Sequence, residues 1–300
     1  MSANRMTESD DATHPSIAKF ESEIPGLSKA LTANVATALS EDVGTCDWTA
    51  QLIAPTKRVQ ARVLVREAAV LCGAPWFERV VQTLDPSARI AWHHGEGDPL
   101  NANATVCTID AQARALMTGE RSALNFLQLL SAVATRTREY VDAIAGTHAA
   151  ILDTRKTVPG LRLAQKYAVR IGGGQNQRLA LYDGILIKEN HIAAAGGVAA
   201  ALLAAQALRA NVPIQIEVET LAQLEEALEA GAQSILLDNF DLAAMREAVR
   251  INARRALLEA SGGIHLATVR AIAETGVDRI SIGGLTKDIR ATDYSLRVQA

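Results

Sequence analysis

The chain has 300 residues and a formal net charge of -3; 49% of its residues are hydrophobic but only 4% are aromatic. This composition suits one large or two smaller domains with an aliphatic core, and it argues against fibrous, disordered, general nucleic-acid-binding and membrane-surface classes. Cys46, Cys72 and Cys107 are odd in number and lack metal-ligand spacing, which points to reduced thiols in the cytoplasm rather than a disulfide scaffold.

Residues 1–23 begin polar and acidic, lack the apolar segment of a signal or anchor, and are expected to form a flexible arm. No stretch has the length and apolarity of a transmembrane helix. Leu27, Leu31, Val35 and Leu39 recur at helical spacing and predict a helix over 25–39. Alternation over Val59–Val65, continued by Ala69–Leu71, predicts a strand, and Arg89–Trp92 and Thr105–Ile109 predict two more. Gly73–Trp76 is expected to open a short helix reaching Thr83, and residues 95–99 are dense in turn residues. A long helix is predicted from Gly119 to Ala145, with Thr118 as N-cap and Leu124, Leu127, Leu130 and Ala134 as its apolar stripe. Arg121 then falls in the first turn, where the helix dipole disfavours a cation. Either a neighbouring acid balances it or it faces an anion.

After Ala149 the pattern becomes strand, helix, strand, helix. Strands at Ile151–Leu152, Ile185–Ile187, Ile214–Val218, Ser234–Leu237, Ala256–Glu259 and Arg279–Ile282 alternate with helices near 161–170, 197–208, 221–230, 241–251 and 266–275. This alternation means a parallel sheet with right-handed crossovers. Six or seven units argue for a barrel, complete or incomplete, over an open doubly wound sheet. Tyr294–Val298 is a last strand, expected to return to the N-terminal sheet.

The chemistry concentrates in Asp153–His191, which carries seven Lys or Arg residues (155, 156, 162, 166, 170, 178 and 188) against three acids. A basic island in a mildly acidic chain suits an anionic ligand, and its charges follow strands whose C-terminal ends build barrel active sites. The period of two puts Gln215, Glu217 and Glu219 on one strand face, and Asp238–Asn239 ends the next strand. Carboxylates there suit ribose hydroxyls or Mg²⁺; structural ion pairs are the plainer reading. Ser261–Gly262–Gly263 and Gly283–Gly284 follow the last two strands, the usual phosphate position of a barrel, although each loop alone also reads as an ordinary turn. His191 reads as a base or a structural residue, and no Ser-His-Asp set or Cys nucleophile is suggested. A Schiff-base aldolase using Lys156 or Lys188 is a competing enzyme class.

The ordered motifs Leu39–Asp42, Gly119–Asn125, Asp153–Thr157, Pro159–Arg162, Lys166–Val169, Gly172–Gly174, Leu186–His191, Glu217–Glu219, Leu237–Asn239 and Glu259–Gly263 resemble the quinolinate phosphoribosyltransferase family, also called nicotinate-nucleotide diphosphorylase (carboxylating). The resemblance runs from about Ala38 to Arg297. It implies an N-terminal open α/β sandwich over 24–118, joined by a C-terminal strand at about 289–300, and an incomplete α/β barrel over 119–288. It implies transfer of phosphoribosyl from phosphoribosyl diphosphate to quinolinate with loss of CO₂, in NAD biosynthesis, and a homodimer with shared sites. By match, Arg121 from the partner subunit, Arg155, Lys156, Gln177, Arg178 and Lys188 take quinolinate. Ser261, Gly262, Gly263, Gly283, Gly284 and Lys287 hold phosphate. Glu217 and Asp238 lie near the ribose and its Mg²⁺, as ligands or indirectly, and Lys156, Glu217 and Asp238 are the implied catalytic residues. A sibling transferase acting on another pyridine-like substrate is the alternative.

Two positions depart from the family pattern. Gln177 stands where the family usually has His; Gln donates a hydrogen bond but cannot titrate, which favours a binding role. Lys287–Asp288 stand where the family often has His-Ser, and Lys287 keeps a cation near the phosphate.

Overall fold

Residues 14–299 are described by a computed structural model. The chain opens with helices α1 (Pro15–Phe20) and α2 (Leu27–Val43), followed by strands β1 (Arg58–Val65) and β2 (Ala69–Val70). Helix α3 (Ala74–Leu84), strands β3 (Arg89–Trp92), β4 (Pro99–Leu100) and β5 (Thr105–Gln112), and the 31-residue helix α4 (Ala113–Ala143) complete this half. The alternation in β1 turns Ala61, Val63 and Val65 into the core and leaves Arg62 exposed. β1 pairs antiparallel with β5 and with β12 (Tyr294–Val298), in the sheet order β12-β1-β5-β3. The C-terminal strand therefore returns to the N-terminal sheet, as its sequence suggested.

Four details differ from the sequence reading. The arm expected over 1–23 is structured from Pro15 on, because Ile17, Phe20 and Ile24 are buried; residues 1–13 lie outside the described residues. Ala69–Val70 does not continue β1 but pairs with β4 in a separate ribbon. Helix α4 begins at Ala113, directly out of β5, since Ala113–Met117 are good helix formers and no turn residue intervenes. Thr118 therefore does not cap it; its hydroxyl donates to Asp47 at 2.8 Å. Arg121 lies in the third turn and the helix-dipole argument about it lapses. Gly119 lets α4 approach α3 closely: a Cβ there would lie 2.9 Å from Leu84 Cδ1.

The second half contributes β6 (Ala150–Leu152), α5 (Arg162–Ile171), β7 (Ile185–Ile187), α6 (Glu189–Ala195), α7 (Val198–Ala207) and β8 (Ile214–Val218). It continues with α8 (Leu221–Glu229), β9 (Ser234–Asp238), α9 (Leu242–Asn252), β10 (Leu257–Ser261), α10 (Leu266–Ala273), β11 (Arg279–Ser281) and the short α11 (Gly284–Lys287). Six parallel strands run in the order β6-β11-β10-β9-β8-β7. Sequence neighbours β6 and β7 thus form opposite edges, and the barrel is incomplete. The segment after α5 lies along the open edge of β6: Gln175 N–H donates to Ile151 O at 2.8 Å and its carbonyl accepts from Asp153 N–H at 3.2 Å. α6 was not foreseen. It starts at Lys188, whose N–H donates to His191 Nδ1 at 3.0 Å, so His191 helps cap a helix.

Candidate active site

A cavity of about 840 Å³ opens at the C-terminal ends of the parallel strands. Thr154 and Lys156 follow β6, Asp238 and Asn239 end β9, and Ser261, Gly262 and Gly263 end β10. Gly283, Gly284 and Lys287 come from β11 and α11. The glycine loops are shaped by close approach. Gly262 has φ +97°, and a Cβ there would sit 2.1 Å from Asn239 Oδ1. Asn239 is itself left-handed, at φ 56°; its N–H donates to Ser261 O at 3.0 Å and its amide to Asp238 Oδ2 at 2.8 Å. Lys156 lies across Gly283, with its Cδ 3.0 Å from where a Cβ would stand. Thr286 Oγ1 donates to the Lys156 carbonyl at 2.8 Å and fixes that loop. Backbone N–H groups without side-chain cover, beside a lysine, are suited to phosphate oxygens. Lys287 is half-exposed and 3.5 Å from Asp288, so its charge is partly countered by its neighbour.

At β7 and β8, Lys188 Nζ lies 3.2 Å from Glu217 Oε2. The Glu217 side chain is only 11% exposed. Burial pushes its carboxyl above the usual range, Lys188 opposes that, and the charges of Asp238 and Glu189 add to it. Gln215 is buried on the same face, whereas Glu219 lies past the strand end and is exposed; the expected row of three inward groups is a row of two.

The basic island separates into structural and available cations. Lys166 is fully buried and pairs with buried Asp153 at 2.6 Å. Arg162 braces Thr157 Oγ1 at 3.1 Å, and Arg170 binds Gly174 O at 2.9 Å and Glu23 at 2.8 Å. Arg155 keeps a buried Nε without a partner. The Arg178 guanidinium donates to Gly184 O at 2.8 Å, and burial together with the Arg155 charge lowers its proton affinity. Two guanidiniums held near each other, one with a buried unpaired N–H, favour an anion between or against them.

Six sequence-derived site residues, Arg121, Arg155, Gln177, Arg178, Lys188 and Glu217, are not among those lining the main cavity. Gln177 and Arg178 line a second space of about 620 Å³, walled also by Ile185, Ile214, Ser234 and Arg279 at the N-terminal ends of their strands. The Gln177 amide is bonded at both ends: Nε2 donates to Gln215 Oε1 at 2.7 Å, and Oε1 accepts from Arg178 N–H at 2.6 Å. Both ends of the Gln177 amide are thus engaged within the chain. Arg121 is exposed on α4 and lines neither cavity. Sequence reasoning also passed over Glu259, which is 1% exposed inside the barrel. A charged residue within the apolar run Leu257–Ala260 was the signal.

Family models match almost all of this architecture. The quinolinate phosphoribosyl transferase N-terminal domain model covers residues 47–131, and its C-terminal domain model covers 133–297. The chain belongs to the quinolinate phosphoribosyltransferase family. It is 41% identical over 259 residues to a probable nicotinate-nucleotide pyrophosphorylase [carboxylating] of Bacillus subtilis, covering 86% of this chain and 90% of that protein. A Synechocystis protein of the same description is 43% identical over 251 residues, covering 81% and 84%. The solved nicotinate-nucleotide pyrophosphorylase of Francisella tularensis superposes with a TM-score of 0.88 at 43% identity, covering 90% of this chain and 96% of that one. The two family models meet within α4, so this helix belongs to both halves of the family fold.

Proposed function

We propose that this quinolinate phosphoribosyltransferase joins quinolinate to phosphoribosyl diphosphate, releasing diphosphate and CO₂ and leaving nicotinate mononucleotide, a step of NAD biosynthesis. The observation that carries this is the cavity in which two glycine loops and Lys156 meet Asp238 at the C-terminal strand ends; the Arg155–Arg178 pair, with a buried unpartnered Nε, adds an anion site of different chemistry. Quinolinate is a dianion, for which guanidinium forks are the natural partners. Arg155, Arg178, Lys156 and Lys188 would take its carboxylates. Ser261, Gly262, Gly263, Gly283, Gly284 and Lys287 would hold the phosphates.

As diphosphate leaves, positive charge grows on the ribosyl carbon. Glu217 and Asp238 present carboxylates to that charge, and low local polarity strengthens the attraction. The pyridine nitrogen bonds to the ribosyl carbon as the bond to diphosphate breaks. The resulting pyridinium accepts the electron pair of the carboxylate lost as CO₂, and a proton from solvent replaces it on the ring. The chain's residues bind and orient throughout, and no covalent enzyme intermediate is needed. Among the described residues no group of three or more acidic, His or Cys side chains converges. Asp238 and Glu217 therefore fit a Mg²⁺ ion that takes most of its oxygens from diphosphate and water. The ion would lessen the negative charge on the departing diphosphate.

A homodimer with shared sites belongs to the same reading. Arg121 is exposed and, among the described residues, bonds to no side chain of its own chain. Trp48 and Leu52, 79% and 85% exposed, flank Asp47 and Gln51, which are bonded to α4 through Thr118 and Arg114. An exposed apolar patch beside an unused arginine supports a partner's active site there. Free Cys46, Cys72 and Cys107 support a reducing, cytoplasmic setting. Among the described residues no helix is long and apolar enough to cross a membrane. The Schiff-base alternative is disfavoured, since Lys188 is half-exposed and paired with Glu217, whereas a Schiff-base lysine needs a desolvated amine.

The test is CO₂ release from carboxyl-labelled quinolinate with phosphoribosyl diphosphate and Mg²⁺, with and without a chelator. Metal-dependent release coupled to mononucleotide formation is expected. Release with another pyridine but none with quinolinate would move the sibling transferase to first place.

A further inference from the structure

The barrel interior holds a polar chain that the proposed reaction does not use. Glu259, buried on β10, accepts from Gln215 Nε2 at 2.9 Å. Gln215 Oε1 accepts from Gln177 Nε2 at 2.7 Å, and that nitrogen also lies 3.5 Å from both Glu259 oxygens. Gln177 Oε1 then accepts the backbone N–H of Arg178 at 2.6 Å. The direction of every bond follows from its first member. A carboxylate only accepts, so it draws the donor end of both amides toward itself. Their oxygens must then face away, and the last oxygen receives the Arg178 N–H. The Gln177 backbone is fixed as well: its N–H donates to Asp153 Oδ1 at 2.8 Å and its carbonyl accepts from Lys166 Nζ at 2.9 Å.

We infer that Glu259 is a positioning residue for Arg178, acting through Gln215 and Gln177: it sets the polarity of a buried amide chain that ends on the Arg178 backbone. This rests on the reading that Arg178 takes a quinolinate carboxylate. The guanidinium leaves the main chain one residue beyond the last bond, and its Nη1 is held at Gly184 O. With the backbone and the guanidinium both fixed, little freedom is left in the side chain between them. Preorganised donors of this kind favour binding because they need no reordering when the anion arrives.

Two variants test this in the full-length enzyme. Glu259→Gln keeps the shape but brings an NH₂ group to a site where every neighbour donates. Gln215→Met removes the bridge and leaves Glu259. Each is expected to raise the KM for quinolinate about tenfold, the scale of one charge-assisted hydrogen bond, while the KM for phosphoribosyl diphosphate changes less than twofold. The double variant should be no worse than the poorer single one, because the residues act in series. Amide hydrogen exchange over residues 176–180, measured without substrate, should rise in both variants. Equal changes in both KM values, or additive losses with unchanged exchange, would overturn the inference and leave Glu259 a packing residue. The exchange result does not depend on turnover, so a wild-type enzyme inactive with quinolinate would count against the proposed reaction and not against this chain of bonds.

Discussion

Replacing Lys166 with Met removes one half of a buried ion pair and leaves the other half charged. Asp153 and Lys166 both have fully buried side chains, and the Asp153 carboxylate is held by Lys166 Nζ at 2.6 Å, Asn176 Nδ2 at 2.7 Å and Gln177 N–H at 2.8 Å. The remaining two neutral donors cannot replace the lost charge. Breaking one side of such a pair costs about 3–5 kcal/mol, which for a chain of this size is a fall in Tm of roughly 6–20 °C. Burial already pushes the Asp153 carboxyl up and the Lys166 amine down, each opposed by the other. Without Lys166 only the Asn176 and Gln177 donors oppose the upward push on Asp153. The folded state then holds the Asp153 proton more tightly than the unfolded state does. Its contribution to stability is present at low pH and is lost as pH rises, so the deficit of the variant should be largest near neutral pH and shrink toward acid. Thermal unfolding from pH 5 to 8 measures both effects, and Lys166→Met with Asp153→Asn should recover at least half of the loss. A fall below 3 °C, or a deficit independent of pH, would refute the account of Lys166 as the counter-charge of Asp153.

Other predictions follow from the same geometry. Arg121→Ala should abolish activity and leave the dimer intact; mixing it with Lys156→Ala should restore up to about a quarter of the wild-type rate if sites are shared, and no recovery in proven mixed dimers would count against sharing. Gly262→Ala forces a Cβ against Asn239 at φ +97° and should raise the KM for phosphoribosyl diphosphate at least tenfold, with a smaller change for quinolinate. Glu96 accepts from Gly73 and Ala74 N–H at the start of α3 and from Tyr167 Oη at 2.8 Å, and burial pushes its carboxyl up to about 7. That pKa is raised on folding, so its share of stability is lost as pH rises toward and through 7, and Glu96→Gln should flatten the dependence of Tm on pH between 5 and 8.

The strands and most helices were legible because their apolar spacing is regular and each parallel strand ends in a polar cluster. The start of α4 was not. Its first turn grows straight from β5, and without a turn residue the eye settles on the Thr118–Gly119 pair, which serves other contacts. α6 was missed for a related reason: seven residues after Lys188 are too few for a periodic signal, and the helix exists because His191 caps it. The glycine loops could be placed because they follow the last two strands of the alternating series, and both line the cavity at the strand ends. The basic island could be located but not divided. Whether a lysine pairs with a buried aspartate or waits for a ligand depends on tertiary contacts, and Lys166 and Lys188 look alike in a sequence.

The departure at Gln177 gains a physical sense from this arrangement. A group at that position has to accept the Arg178 N–H and donate toward Gln215 and Glu259 at once. A primary amide does both, with an oxygen on one side and two N–H donors on the other. A neutral imidazole also has one acceptor and one donor, but protonation removes the acceptor and would release the Arg178 N–H. An amide at 177 thus keeps the polarity of the chain independent of pH. No proton needs to pass through it, since the ring carbon that loses CO₂ takes its proton from solvent. A Gln177→His enzyme should therefore remain active near pH 8 and bind quinolinate progressively less well than the parent as pH falls through about 6.5, the unperturbed range of histidine. Parallel pH profiles of the quinolinate KM for the two proteins would show that the amide carries no such role.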